Sequence, residues 1–504
     1  MPPRGASKLV AVVVFAVVVL SGFAYTTLRQ APLHPVDYTP MHPDIQALDH
    51  PSFAGIRAYE RKLPHQRKPG FMSKARPRYV YFPNEAWGTG WNNVFQEQLL
   101  NTHLAYLSHR AYVFPDYIPR DHPPFPDTLP DGSRQPLHVP MNALTSGPTG
   151  GGSFGAAGDP DSPRAVSFEW WTVVCPDAQV VELKMAETVK ELGAAELEAG
   201  SERLARWAQK LKGIEAQCVK VTGGSPFDYM FIGSDKIISA WTSYGPSPTL
   251  TEYAWSALIT RALSRNYALF SPASSTSTSD LPPALAPALS RITHAPGAGT
   301  PLHPYPLSAF EPLRADAPPT RGLLALHVRR GDYAEHCNSL ADWGADYNAW
   351  GLFGRPDLRA TGKYPPLPDY LNISDGMPRR DAAYAHCWPV PEVIVARARA
   401  ERAEYAKEAT NAAEGLTTVY IATNGAPEWV AALAGALRAD GWGKVASSLD
   451  MQLARDEYAV AQAVDMGVLV GAEVFVGVGF SSLSSNVVQL RIAGGHPPGT
   501  SRFW

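Results

Sequence analysis

The sequence predicts an α/β protein of two halves, each built on parallel strands alternating with helices. Three observations predict it. Short β-rich runs precede helical patterns in residues 78–115 and again in 322–492. The run Leu323-Leu324-Ala325-Leu326 is continuously apolar, as a strand buried inside a parallel sheet is. Residues 271–321 are dense in Ser, Pro and Ala without periodicity, long for a loop inside one domain, and mark the boundary between the halves. A chain of 504 residues accommodates two to four domains, and 45% hydrophobic residues supply sizeable cores. The 47 Pro and 41 Gly predict long irregular connections.

The elements follow in order. Residues 9–25 are an almost unbroken apolar run, preceded by Arg4 and Lys8 and followed by Arg29. The run is at the short end of what spans a bilayer, and its flanks favour a cytoplasmic tail at 1–8 and a lumenal body. The rival reading is a cleaved signal peptide, because Ser21, Gly22 and Ala24 are small. Both readings put the body in the secretory pathway. Residues 26–75 mix Pro, His and basic residues and read as a stem. Residues 78–82 (Arg-Tyr-Val-Tyr-Phe) read as a strand, 91–110 as a helix and 111–114 as the next strand, a βαβ start. Residues 145–165, rich in Gly, Ser and Pro, read as a mobile loop, and 180–211 as a helical pattern broken near Gly200. The first half thus occupies 76–320.

The second half, 321–504, alternates more regularly. Strands are predicted at 323–328, 417–421, 444–448 and 473–476. Helices are predicted at about 391–412, from Pro427, at 455–469 and at 484–492. This is the pattern of a doubly wound parallel sheet. Of the four cysteines, none forms a C-x-x-C pair, so zinc and thioredoxin-like chemistry are disfavoured. Three pairings are possible. Cys175 with Cys218 and Cys337 with Cys387 is the one expected; the alternative is that some are free buried thiols. Asn372-Ile373-Ser374 is a glycosylation sequon suited to a surface loop.

Four motifs lie at predicted strand carboxyl ends, where open α/β sheets bind ligands. The most informative is His327-Val328-Arg329-Arg330-Gly331-Asp332. Two guanidiniums there suit phosphate oxygens, so the simplest ligand is a diphosphate. Gly88-Thr89-Gly90-Trp91-Asn92-Asn93 opens a helix, and backbone amides at a helix N-terminus favour anions. Gly477-Val478-Gly479-Phe480-Ser481-Ser482-Leu483-Ser484-Ser485-Asn486 follows the last predicted strand. Ile421-Ala422-Thr423-Asn424-Gly425 offers groups that suit a base or ribose. Each alone also reads as a turn, a cap or a solvated cluster; their clustering at strand ends weakens that reading. There is no P-loop, G-x-S-x-G or H-E-x-x-H. Asp159-Pro160-Asp161 has the D-x-D form of metal-dependent sugar transferases but reads as loop composition. A net charge of −3 leaves no bulk electrostatic case for nucleic acid.

These residues carry a family resemblance. His327-Val-Arg-Arg-Gly-Asp332 resembles the H-x-R-R-x-D strand end of the GDP-fucose-dependent fucosyltransferases, which include protein O-fucosyltransferases and α1,2- and α1,6-fucosyltransferases. Gly90-Trp91-Asn92-Asn93 is similar to the family's first motif. Ala463-Val464-Asp465, Phe475-Val476-Gly477 and Ser481-Ser482-Leu483-Ser484 resemble the third. The resemblance covers about 78–115 and 322–492, and the middle matches nothing named. It implies a GT-B-like fold, two Rossmann-like halves facing a cleft, after the membrane anchor. It also implies inverting, metal-independent transfer of fucose from GDP-fucose to a protein or glycan hydroxyl. Such a protein would be a single-pass type II membrane protein of the Golgi or ER.

By this correspondence Arg329 stabilises the departing diphosphate and Asn93 joins it in catalysis. His327 and Asp332 contact or orient the nucleotide, and Gly90 and Asn92 line the donor site. Ser481, Ser482 and Ser484 lie at the phosphates, while Asp465 with Thr423 or Asn424 lies near the guanosine. Arg330 supports the site. No cofactor or metal ligand is expected. One departure matters: some protein O-fucosyltransferases place Glu where this chain has Thr89. Glu85 and Glu97 are the alternative bases. Two further readings stay open: a transferase using another nucleotide sugar, and a catalytically inactive nucleotide-sugar-binding protein.

Overall fold

The computed structural model describes residues 53–66, 77–85, 89–119, 138–156, 158–193, 198–272, 285, 311–373, 377–408 and 415–504. The predicted tail, anchor and most of the stem, the sequon's Ser374 and most of the predicted boundary segment lie outside them.

Two all-parallel five-stranded sheets organise the body. The first contains β1 (Tyr79–Tyr81), β2 (Ala111–Phe114), β3 (Val166–Ser167), β4 (Val180–Lys184) and β5 (Cys218–Thr222), in the order β3-β2-β1-β5-β4. A short antiparallel pair, β6 (Ala254–Trp255) and β7 (Leu313–Arg314), follows in sequence. The second sheet contains β8 (Thr320–Val328), β9 (Thr418–Thr423), β10 (Lys444–Ser447), β11 (Ala472–Gly477) and β12 (Ser501–Phe503), in the order β10-β9-β8-β11-β12. The chain starts this sheet at its centre, builds outward through β9 and β10, then returns to the other side of β8. The order therefore reverses between β8 and β11, and a crevice opens outside their carboxyl ends.

Nine longer helices matter for the site: α1 (Trp91–Leu107), α2 (Gly200–Gly213), α3 (Ala257–Phe270), α4 (Tyr333–Asp342), α5 (Arg379–Cys387), α6 (Pro391–Glu408), α7 (Pro427–Ala439), α8 (Ala461–Val470) and α9 (Ser482–Ala493). Helix α1 follows β1, and α9 follows β11. Both begin at strand carboxyl ends, and they pack on each other. Their buried faces join one apolar core running through both halves. A smaller core lies on the opposite face of the first sheet: Tyr79 and Tyr81 point into it while Val80 points into the large one, the period-two alternation of a strand. Leu323 to Leu326 are wholly buried, as expected of a strand covered on both faces.

Both expected disulfides form. Cys175–Cys218 ties the helix Phe168–Val174 to the start of β5, and Cys337–Cys387 ties α4 to α5.

Several expectations need correction. The stem does not extend through 53–66: Ala54–Glu60 is a helix, Phe53, Ile56 and Leu63 enter the main core, and Arg57 forms a two-pronged ion pair with Asp116. Residues 145–152 are mostly buried against the body rather than an open loop. A Cβ on Gly147 would lie 2.9 Å from the Ala254 nitrogen, and one on Gly150 2.7 Å from the Thr145 carbonyl oxygen, so glycine there serves close packing. Residues 180–184 are strand, not helix, because parallel pairing with β5 overrides the local helical spacing. Helix follows as Met185–Leu192 and then α2.

Candidate functional site

The site residues of the second half sort into an inner layer and an outer one. His327 closes β8 and is 4% exposed. Burial, aided by the charge of Arg329, drives its pKa down to about 3, so the imidazole is neutral at any physiological pH. Its Nδ1 lies 2.9 Å from Ser484 Oγ, and the Val478 N–H donates to the same oxygen at 3.1 Å. The His327 carbonyl accepts from the Trp504 indole N–H at 3.1 Å. The neutral ring and the hydroxyl share one hydrogen bond through Nδ1. Ser484 therefore ties the end of β8 to the loop after β11. It was expected at the phosphates, but it is wholly buried and its hydroxyl is occupied.

Thr423 is a second inner strut. Its hydroxyl donates to the Val328 carbonyl at 2.6 Å and accepts from the Gly425 N–H at 3.0 Å, joining the ends of β8 and β9. Asp465 is a third. The Tyr420 and Ser448 hydroxyls donate to its two oxygens at 2.5 and 2.9 Å, and Ser448 Oγ also accepts from the Thr423 N–H at 3.0 Å. Burial raises the Asp465 carboxyl to about 6, against the pull of those hydroxyls. Thr423 and Asp465, expected near the guanosine, thus have their polar side-chain atoms hydrogen-bonded within the protein.

Arg330 is buried where Arg329 is not. Its guanidinium carbon sits 4.5 Å from the Trp388 ring and 4.3 Å from the Trp429 ring. Its two terminal nitrogens donate to the Arg329 and Pro389 carbonyls. Burial lowers its pKa to about 10, so it remains a cation, held between two indole faces.

The outer layer holds Arg329, Asp332, Asn424 and Ser482. The Arg329 side chain is 30% exposed, its only carboxylate partner among the described residues being Asp332, 55% exposed, at 3.3 Å. An ion pair this exposed contributes about 0–1 kcal/mol, so an incoming anion displaces Asp332 at little cost. Asn424 staples the motif's turn: its Oδ1 accepts from the Arg330 N–H at 2.7 Å and its Nδ2 donates to Asp332 at 3.4 Å. Gly331 is left-handed at φ +66°, and a Cβ there would come within 3.0 Å of Asn424 Nδ2. Ser481, buried, precedes α9 without capping it by its side chain, and Ser482 is half-buried in the first turn. The helix start thus presents uncapped amides at the crevice between β8 and β11.

From the first half comes the start of α1. Gly90 is exposed and occupies its N-cap with no side-chain cap, and Asn93 is half-buried. Gly88 lies outside the described residues. Asn92 faces inward: it is 5% exposed, and Asn486 Nδ2 donates to its carbonyl and its Oδ1, both at 2.9 Å. Asn92, expected to line the donor site, thereby ties α1 to α9. The tie continues as Gln489 donates to Asn486 at 2.7 Å and Tyr244 to Gln489 at 3.0 Å.

Neither alternative base is at the surface. Glu85 is buried, accepting from the Tyr112 hydroxyl at 2.7 Å and from Asn101 at 3.0 Å, and burial raises it to about 7. Glu97 is 0% exposed. Asp159 Oδ1 accepts from the Asp161 N–H at 2.9 Å, and its Oδ2 lies 3.5 Å from His109 Nδ1. No group of three or more His, Cys, Asp or Glu suited to a metal occurs among the described residues. No described helix is long and apolar enough to cross a membrane.

Two residues beside Arg329 escaped the motif reading. Tyr333, first in α4, lies under the Arg329 guanidinium at 5.4 Å, and His336 packs on Tyr333 with ring centroids 5.1 Å apart. The available signal was spacing of four residues, from Arg329 to Tyr333 and from Asp332 to His336.

No protein-family model matches the chain, and no curated protein matches it. Its backbone is similar to crystal structures of POFUT1. The form in complex with GDP-fucose is 12% identical, covering 85% of this chain and 99% of that one at a TM-score of 0.48. The form in complex with GDP is 13% identical, covering 86% and 99% at 0.48, and the apo form 12% identical, covering 86% and 99% at 0.46.

Proposed function

We propose that the protein is an inverting, metal-independent glycosyltransferase that moves fucose from GDP-fucose to a protein or glycan hydroxyl. The observation that carries this is the half-buried, solvent-accessible Arg329, held by a buried frame where the second sheet's strand order reverses. The sugar's identity rests on the resemblance of His327–Asp332 to the fucosyltransferase strand end. Transfer breaks the bond between C1 and the β-phosphate oxygen, and negative charge grows on the diphosphate. Arg329 and the uncapped amides of α9 are preorganised donors for that charge, and the frame spares them reorganisation as the bond breaks. His327, Ser484, Thr423, Asn424 and Arg330 act through the placement of Arg329. Asn93 and Gly90 bring the start of α1 to the same site from the other half, which we assign to the acceptor side. The apolar run at 9–25 supports a type II anchor with the body in the Golgi or ER lumen.

A second reading is a nucleotide-sugar-binding protein without transferase activity. Thr89 and the burial of both Glu85 and Glu97 favour it, because a base must reach the acceptor hydroxyl. One experiment separates the two. The lumenal body is assayed for binding and slow hydrolysis of GDP-fucose, GDP-mannose and UDP-sugars, with Arg329→Ala alongside. The transferase reading expects GDP-fucose hydrolysis that Arg329→Ala reduces by roughly 10²–10³. Binding without turnover supports the second reading; absence of GDP-fucose binding overturns the transferase reading, and absence of binding to every one of these sugar nucleotides overturns both.

A further inference from the structure

We propose that His336 binds the donor's diphosphate beside Arg329 and takes up a proton as it does so. This rests on the reading that the site takes a nucleoside-diphosphate sugar.

His336 lies one helical turn beyond Asp332 on α4, exposed, with its ring packed on Tyr333. Arg329 lies against the same tyrosine ring. The Tyr333 hydroxyl donates to the Phe480 carbonyl at 3.4 Å, which pins that ring between α4 and the loop after β11. The next residue, Cys337, is buried and disulfide-bonded to α5, so the helix carrying His336 is anchored at that point. The imidazole makes no hydrogen bond to the protein among the described residues. Three fixed points therefore hold a free imidazole on the same tyrosine ring as the Arg329 guanidinium.

The charges acting on this ring are Arg329 and Asp332. On the packed helix α5, Arg380 is engaged by Asp342 and Asn338 further along α4. The loop 478–482 carries no titratable side chain. Burial and then Arg329 hold the imidazole below its ordinary value, with Asp332 opposing them, so it is neutral in the free protein at neutral pH. A bound diphosphate brings negative charge that cancels the repulsion from Arg329 and favours the imidazolium. Inversion also requires the acceptor hydroxyl to attack from the face of C1 opposite the leaving phosphate. A group beside Arg329 is thus on the leaving-group side, and His336 is not the base.

Binding of GDP-fucose to the full lumenal body is measured at pH 6 and 8, with calorimetry in two buffers of different ionisation enthalpy. A sugar diphosphate diester has no proton to gain in this range, which makes it a cleaner probe than GDP. The expected result is affinity roughly three- to tenfold higher at pH 6, with net proton uptake. His336→Gln should lose the His336 share of both, leaving a markedly smaller pH ratio and proton uptake, while binding as wild type does at pH 8. Asp465 titrates close to this range, but its contribution persists in the variant, so the difference isolates His336. Wild-type binding without proton uptake, or the same pH dependence in His336→Gln, overturns this inference alone. No wild-type binding at either pH overturns the donor reading and this inference with it.

Discussion

Arg329 and Arg330 are chemically identical neighbours with opposite environments, and burial decides their roles. Arg330 is locked between Trp388 and Trp429 and hydrogen-bonds the Arg329 carbonyl, while Arg329 faces solvent. Lysine at 329 keeps the charge but loses the planar fork. Arg329→Lys should therefore retain more GDP-fucose hydrolysis than Arg329→Ala but stay below wild type, measured under saturating donor. Glu85 offers a test of burial alone. Its folded carboxyl is raised to about 7, above the unfolded value, so folding takes up a proton between the two. Its contribution to stability is fully present below about pH 4.5 and is lost as pH rises through 7, a change of about 2–3 kcal/mol. Glu85→Gln should remove that decline, read from denaturant midpoints at pH 4.5 and 8.

At the scale of elements, the disulfide Cys337–Cys387 closes the α4–α5 insertion. It holds the helix that carries Asp332, Tyr333 and His336, and it lies next to Trp388, one jaw of the Arg330 clamp. A crosslink spanning 50 residues restricts the unfolded chain by about 4 kcal/mol. Replacing both cysteines with alanine should lower stability by about 2–4 kcal/mol and weaken donor binding, measured by thermal unfolding and by titration with GDP-fucose. The equivalent change at Cys175 and Cys218 should lower stability with little effect on donor affinity. That bridge joins the first sheet's smaller core, on the far side from its large one.

Over the whole molecule, the polar chain from Asn92 through Asn486 and Gln489 to Tyr244 joins the two halves beneath the site. Asn486→Ala leaves two acceptors on Asn92 and one donor on Gln489 buried without their partner. The expected cost is about 1–3 kcal/mol, with a raised KM for donor as the start of α1 loosens against α9. An unchanged KM with lowered stability would confine the tie to a structural role.

Much of this was legible along the chain. Local pattern located most strands and helices of the second half, because a continuous apolar run and a 3.6-residue period are properties of neighbouring residues. The His327–Asp332 motif was visible for the same reason: its residues are consecutive and end a strand. The division between contact and strut was not legible. His327 meets Ser484 across 157 residues, and Asn92 meets Asn486 across 394. Strand β4 was missed because its partner β5 lies beyond two intervening helices. His336 carries no motif, and only the turn of α4 returns it to Arg329. The α/β class and the strand-end motif were set by the sequence alone, since each is written in local order. Burial and hydrogen-bond partners, which separate the accessible side chains of the site from those engaged by the protein, came from the tertiary structure, because they are set by segments far apart in the chain.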